Sequence, residues 1–286
     1  MKIRVIAVPY DSAVLRARMG AGPDRLLAAG LVDRLRSRGH HVRVEECVAP
    51  AAALHAEVST AFGLNRVISA QVREAANADE FPIVLSGNCI TTSGALAGLG
   101  TKPIRVVWFD AHGDFNTPET TIGGFLDGMA LSVLTGNCWT QIASRLDGFR
   151  PTEERDVVLI GARDLDPLEA DLLAGSAITM IAADETDQRL DSVLQRSHFS
   201  AADVHVHLDL DVLDPSQGRA NQFAAEGGLS VDGVESALRL IGKRCRLRAA
   251  SVTAYDPAYD VDGRICGAAL RLIEVIAESG SDPEKR

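Results

Sequence analysis

Two short segments concentrate the residues able to do chemistry. The first, Trp108-Phe109-Asp110-Ala111-His112-Gly113-Asp114, is an apolar strand-like run that ends in alternating Asp, His and Asp. Alternate residues of an extended chain share a face, so Asp110, His112 and Asp114 are expected to converge and to offer a divalent ion two hard oxygens and an imidazole. The second, Val204-His205-Val206-His207-Leu208-Asp209-Leu210-Asp211-Val212-Leu213-Asp214-Pro215, brings Asp209 and Asp211 to a strand end in the same way. Either segment alone reads equally well as a solvated acidic turn. Together they gather more negative charge than a protein leaves unpaired and more ligands than one tetrahedral zinc accepts. A pair of divalent ions in mainly oxygen coordination is the economical reading. His205 and His207 alternate with the aspartates on one strand face. His207 is therefore either a hydrogen-bond partner of the ligands or a core histidine.

These residues need elements that bring them to one edge. Apolar runs at residues 3–8, 42–44, 83–85, 104–109, 157–160, 178–181, 204–210 and 249–253 predict about eight strands. Helical patterns fall at residues 23–38, 53–76, 128–134, 167–174, 231–241 and 264–278, the first opening on Pro23 and closing at Gly39. Alternating strands and helices predict an α/β fold with a mostly parallel sheet covered on both faces. Ligands of such sheets bind beyond the carboxyl ends of the strands, where Asp110, Asp164 and Asp209 fall. One domain is expected over residues 1–278, with a disordered tail at 279–286. The polar stretch 216–228, with Phe223 and Glu226, is long enough for an active-site loop. Gly20-Ala21-Gly22-Pro23 lacks the lysine and spacing of a phosphate cradle and reads as a helix entrance.

The 286 residues carry 29 Lys and Arg against 39 Asp and Glu, a formal net charge of -10 with the two signs interspersed. That balance leaves no basic footprint for nucleic acid or an anionic membrane and points to a small-molecule substrate. There is no apolar run of about 18 residues and no secretory leader pattern, so a cytoplasmic location is expected. The five cysteines are scattered without a CxxC pair, which predicts buried free thiols rather than a disulfide framework.

At this point the residues resemble those of the arginase, agmatinase and formiminoglutamase family, the ureohydrolases. Asp110 to Asp114 match its Asp-Ala-His-x-Asp, Asp209 to Pro215 its Asp-x-Asp-x-x-Asp-Pro, and Gly161 to Asp164 its Gly-x-Arg-Asp. Asn116-Thr117-Pro118 and Asp166-Pro167 match arginases as well. The resemblance implies a single-domain three-layer α/β/α fold and two manganese ions bridged by a hydroxide that attacks a guanidino-type carbon. It implies that Asp110 and Asp209 bridge both ions, that Asp114 binds the first and orients the hydroxide, and that His112 and Asp211 complete the second. Asn116 and Asp166, with Glu169 nearby, would hold the amino-acid end of a guanidino substrate. Whether the chain is a monomer or a homo-oligomer stays open.

The chain also departs from the family pattern. Its Gly-Gly-Asp-His-Ser motif, whose histidine binds the first ion, reads Ser86-Gly87-Asn88-Cys89-Ile90 here. A metal lowers the pKa of a coordinated thiol, so Cys89 can take the histidine's place. It would add a negative charge and let zinc or iron compete better with manganese. Asp127 stands where arginase has a proton-shuttling histidine, Ala254 where it has a glutamate facing the guanidinium, and Gly123 where it has a serine near the substrate carboxylate. A strongly basic guanidinium wants a carboxylate partner, whereas an N-hydroxyguanidine is less basic and brings its own oxygen. The pattern resembles the hydroxyarginine amidinohydrolases of D-cycloserine biosynthesis. It implies cleavage of Nω-hydroxy-L-arginine to hydroxyurea and L-ornithine, with solvent, Asp114 or Asp127 as proton donor to the leaving amine. Two alternatives remain: another arginase, agmatinase or guanidino-acid hydrolase, and a catalytically inactive relative that binds metal as a regulatory module.

Overall fold

The structure, a computed structural model, describes residues 1–50, 56–196 and 198–280. Its strands are β1 (Lys2–Val8), β2 (Tyr10–Asp11), β3 (Val14–Leu15), β4 (His41–Glu46), β5 (Glu80–Ser86), β6 (Arg105–Phe109), β7 (Val157–Ile160), β8 (Thr179–Ile181), β9 (Asp203–Asp209) and β10 (Arg246–Thr253). Its helices are α1 (Gly22–Ala28), α2 (Leu31–Ser37), α3 (Glu57–Asn77), α4 (Thr92–Leu99), α5 (Ala130–Thr135), α6 (Thr140–Ala143), α7 (Pro167–Gly175), α8 (Thr186–Leu194), α9 (Val231–Arg244) and α10 (Arg264–Gly280). Eight strands form one sheet in the order β4-β1-β5-β10-β9-β6-β7-β8. Every pair in it is parallel. The hairpin β2-β3 stands apart.

Alternation along the strands sorts side chains into two apolar layers. Val107 and Phe109 of β6 join Leu26, Leu31, Val193, Leu238 and Ile273 of α1, α2, α8, α9 and α10 on one face. Val106 and Trp108 join Phe62, Leu96 and Leu131 of α3, α4 and α5 on the other. A sheet buried on both faces needs largely apolar strands; β7 and the middle of β5 supply them, whereas β9 buries His205 and His207 between its apolar residues.

The strand order also makes the site. β9 and β10 insert between β5 and β6, so four chain segments leave the same edge side by side: Cys89 after β5, Ala254 after β10, Asp209 closing β9 and Asp110 after β6. Ligands bind where strand order departs from chain order in this way.

Several elements differ from the sequence reading. The single helix expected at 23–38 is two, broken at Gly30, whose φ of +90° suits glycine. The helix expected from residue 53 begins at Glu57; residues 51–55 lie outside the described residues. The helix expected from Gly128 begins at Ala130, after a 3-10 turn over Asp127–Met129. Ser279 and Gly280 close α10 rather than opening a tail, and residues 281–286 lie outside the described residues. Helices α4, α6 and α8 were not anticipated. For α4, Thr, Ser and Gly lower the intrinsic propensity, yet Gly94 and Gly98 let it press on α3. A Cβ on Gly94 would sit 2.6 Å from the Asn65 carbonyl oxygen, and one on Gly98 2.6 Å from the Val72 Cβ.

Candidate metal centre and active-site cleft

The convergence expected of an extended strand is reached by another route. β6 ends at Phe109, and residues 110–116 form an irregular loop in which Asp114 adopts a left-handed φ of +49°. Asp takes that conformation more readily than most residues, at a modest cost. The Asp114 carbonyl accepts from the N–H groups of Leu131 (2.8 Å) and Ser132 (3.1 Å), which anchors the loop to α5. Asp211 likewise sits on a 3-10 turn after β9, its N–H donating to Asp209 Oδ1 at 2.8 Å.

Five carboxylate and thiol side chains, Cys89, Asp110, Asp114, Asp209 and Asp211, are buried around this edge. The thiol of Cys89 donates to Asp209 Oδ2 at 3.1 Å. Asp110 Oδ2 accepts from Trp108 Nε1 (3.0 Å) and Asp110 Oδ1 from the His112 N–H (2.8 Å). His112 Nδ1 lies 3.3 Å from Asp110 Oδ1 and 3.5 Å from Asp211 Oδ2. Asp211 is braced by donors from the Ala111 N–H (3.2 Å) and Asn221 Nδ2 (3.0 Å). Ligand atoms of Asp110, His112 and Asp211 lie within 4.8 Å of one another, as do those of Cys89, Asp110, His207 and Asp209.

The electrostatics are those of a site short of positive charge. Burial, then the neighbouring carboxylates, drives Asp114 and Asp209 well above the ordinary aspartate range. Burial and the nearby aspartates do the same to the Cys89 thiol. Burial alone would lower the His112 imidazole, but Asp211 and Asp110 overcome it and raise it to about 10. Each shift is the response of a buried cluster with an excess of negative charge. Asp114 Oδ2 is buried without a hydrogen-bond partner. Such an orphan is costly unless something binds there, and the oxygen-rich donor set with one thiol and imidazole fits divalent ions.

A cleft of about 260 Å³ opens above these residues. Asp127 lies in its wall, with Oδ1 accepting from the Ile90 N–H and Oδ2 from Asn88 Nδ2, both at 2.9 Å. Burial raises its carboxyl to about 7 against the pull of those donors. Asn116 Nδ2 donates to Asp166 Oδ2 at 3.1 Å, which places both at the same wall. Glu169 also borders the cleft, but its oxygens are taken by the backbone N–H groups of Phe115 (2.8 Å) and Asp166 (3.3 Å), the second closing a capping box on α7. Phe223 stands over the opening, 5.6 Å from Phe125 and edge-on to His112 at 6.3 Å.

Of the metal residues expected from sequence, Cys89, Asp110, His112, Asp209 and Asp211 fall into groups of converging ligand atoms, whereas Asp114 lines the cleft beside them without joining either group; Asp127, Asn116, Asp166 and Glu169 line the same cleft. Two others were not anticipated. Asn221 ties Asp211 to the Ala254 carbonyl, to which it donates at 2.9 Å. Arg163 donates to the carbonyls of Gly161, Asp211, Ala225 and Glu226, so it clamps the long loop to the sheet edge. The Gly-x-Arg-Asp match pointed at Arg163 without giving it work; no sequence signal distinguishes Asn221 from its polar neighbours.

What fold and site define together is a metal-dependent α/β enzyme. The sequence model of the Arginase family matches residues 1–277. The arginase of Bacillus subtilis (strain 168) is 29% identical over 95% of this chain and 96% of its own length. The structure of arginase from Bacillus cereus aligns with a TM-score of 0.85 at 27% identity, covering 96% of this chain and 98% of that one. A proclavaminate amidino hydrolase from Streptomyces clavuligerus shares the fold, with a TM-score of 0.74 at 20% identity over 98% of this chain and 91% of that chain. The chain belongs to the arginase family: it is a ureohydrolase, a metal-dependent amidinohydrolase of a family that uses a binuclear metal centre. Among the described residues no helix is long and apolar enough to cross a membrane.

Proposed function

We propose that this amidinohydrolase acts on Nω-hydroxy-L-arginine and releases hydroxyurea and L-ornithine, a reaction suited to D-cycloserine biosynthesis. Two divalent ions, manganese with zinc or iron as competitors, would be held by Cys89, Asp110, His112, Asp114, Asp209 and Asp211. The observation that carries the substrate reading is Ala254. This buried residue after β10 borders the cleft and presents a methyl group there. A strongly basic guanidinium set against that wall would go unpaired, whereas the less basic N-hydroxyguanidine loses less by it.

Bound divalent ions would supply Lewis-acid activation of a water near neutral pH. The chain's own residues do the rest. Asp114, with its unpartnered oxygen, orients the attacking water and takes its proton. The water oxygen adds to the guanidino carbon, the bond from that carbon to the ornithine nitrogen breaks, and the leaving nitrogen takes a proton. Asp127, brought to about 7 by burial and steadied by Asn88 and Ile90, is suited to give it. Asn116 and Asp166 face the amino-acid end. Glu169 contributes by holding Asp166 and Phe115 in place.

The test is a parallel assay of manganese-loaded protein with L-arginine, Nω-hydroxy-L-arginine and agmatine, following amine product and metal content on one sample. Preference for hydroxyarginine with two ions bound is expected. Preference for arginine or agmatine would remove the role given to Ala254, and no turnover with fewer than two ions would point to an inactive metal-binding relative.

A further inference from the structure

Two aromatic rings stand at the mouth of the cleft, and the chemistry described so far gives neither of them work. Phe223 is 38% exposed, yet its backbone is pinned on both sides. Its N–H donates to Asn221 Oδ1 at 2.8 Å, and the Asn221 amide donates in turn to Asp211 and to the Ala254 carbonyl. Just beyond it, the carbonyls of Ala225 and Glu226 accept from Arg163. A lone exposed apolar side chain needs no explanation. This one lines the cleft and is held there by the same amide that holds Ala254 and Asp211.

The ring lies at the end of the cleft where a guanidino carbon has to be brought. Its centroid is 6.3 Å from that of His112, edge-on, and 5.6 Å from that of Phe125, two residues before Asp127. The methyl group of Ala254 borders the same space. The carboxylates nearby do not make good partners for a cation there. Asp127 has both oxygens taken by donors from Asn88 and Ile90. Asp164, 4.0 Å from His112 Nε2, has a side chain 67% exposed and keeps its hydration.

We infer that Phe223, backed by Phe125, is a specificity-determining residue that roofs the guanidine end of the cleft and keeps water from it. The inference rests on the substrate reading above and deepens it. A flat ring offers a planar end group a large apolar contact. In the dry space beneath it a guanidinium loses hydration without gaining a paired carboxylate, a loss that attraction to the ring face offsets only in part. The less basic N-hydroxyguanidine can enter uncharged, so it gains the contact without that loss. Ala254 thus withholds the counter-charge and Phe223 withholds the water.

The two products of the proposed reaction probe the two ends of the cleft separately. Binding of hydroxyurea and of L-ornithine to the manganese-loaded full chain is measured by calorimetry, for native and Phe223→Ser protein, beside the ratio of kcat/KM for Nω-hydroxy-L-arginine and L-arginine. Phe223→Ser should weaken hydroxyurea about 10-fold, move L-ornithine by less than about twofold, and cut the preference for hydroxyarginine about 10-fold. Unchanged hydroxyurea affinity in the variant would overturn the assignment. So would an equal loss of hydroxyurea and L-ornithine, which would make Phe223 a support for the loop as a whole. A native chain that prefers L-arginine, with hydroxyurea alone weakened in Phe223→Ser, would uphold the roof while overturning the substrate reading.

Discussion

At the scale of single residues, what the centre can bind and cleave depends on a few side chains whose work is done by neighbours. Asn221 is one of them: its amide joins Asp211 Oδ2 to the Ala254 carbonyl. Asn221→Ala would leave a buried carboxylate oxygen and a carbonyl each short of a donor. Affinity for an ion held through Asp211 and His112 should fall about 10- to 100-fold, read by competition with a chelator. Ala254 makes the opposite case, a side chain that acts by what it omits. Ala254→Glu would place a carboxylate on the cleft wall at a left-handed φ of +61° that the alanine already holds, so the substitution adds little backbone cost. Turnover of hydroxyarginine should drop about tenfold or more while arginine gains, an exchange of about 1.4 kcal/mol per decade; a ratio of kcat/KM values that does not move would take Ala254 out of the specificity argument. The ligands were legible in sequence because acidic and imidazole groups alternate there at the ends of apolar runs. Asn221 was not, because its meaning lies in a contact across ten residues of polar loop.

At the scale of elements, the loop from Asp214 to Gly228 is closed by one carboxylate. Asp214 accepts from the N–H groups of Ser216 (2.9 Å), Gly227 (2.8 Å) and Gly228 (3.1 Å), so it ties both ends of the loop together. The hydrogen bonds from Ser216 lead in lowering its carboxyl to about 2. A carboxylate depressed in the folded state contributes stability above its unfolded pKa, near 3.8, and loses it as pH falls toward about 2. Amide exchange at Gly227 and Gly228, corrected for intrinsic rate, should therefore lose protection between those values in the native chain. Asp214→Asn should show weakened protection throughout and no such step. Loop anchoring of this kind was only half legible: Asp-x-Asp-x-x-Asp-Pro marked Asp214, but its partners lie a dozen residues on. The helices show the same limit. α9 and α10 carry apolar residues at helical spacing and were legible, whereas α4 is buried on every side up to its last residue and its glycines serve packing rather than local preference.

At the scale of the whole molecule, the order β5-β10-β9-β6 is what places four distant segments around one point, and no local pattern in the chain encodes it. Strand count and parallel direction follow from periodicity; adjacency follows from packing over the full length. That adjacency has a thermodynamic consequence. Folding without metal must bury Asp110, Asp114, Asp209 and Asp211 together, in a chain that already carries a net charge of -10, and like charges brought out of water oppose folding. Metal binding offsets this by linkage: at a free concentration about 100 times its Kd, one ion adds about 2.7 kcal/mol. In a chain of this size that raises the thermal midpoint by about 5–10 °C. Asp209→Asn separates the two effects. It keeps the size of the side chain and removes one of the opposed charges, so the metal-free midpoint should rise by about 2–4 °C for each kcal/mol of repulsion relieved. It also removes a donor of the centre, so added manganese or zinc should then raise the midpoint by less than half of the native shift. Scanning calorimetry with chelator and with metal, on native and Asp209→Asn protein, gives the four midpoints. A metal-free variant no more stable than the native chain would mean that protons already neutralise the cluster. An undiminished metal shift would place the ions elsewhere than at the end of β9.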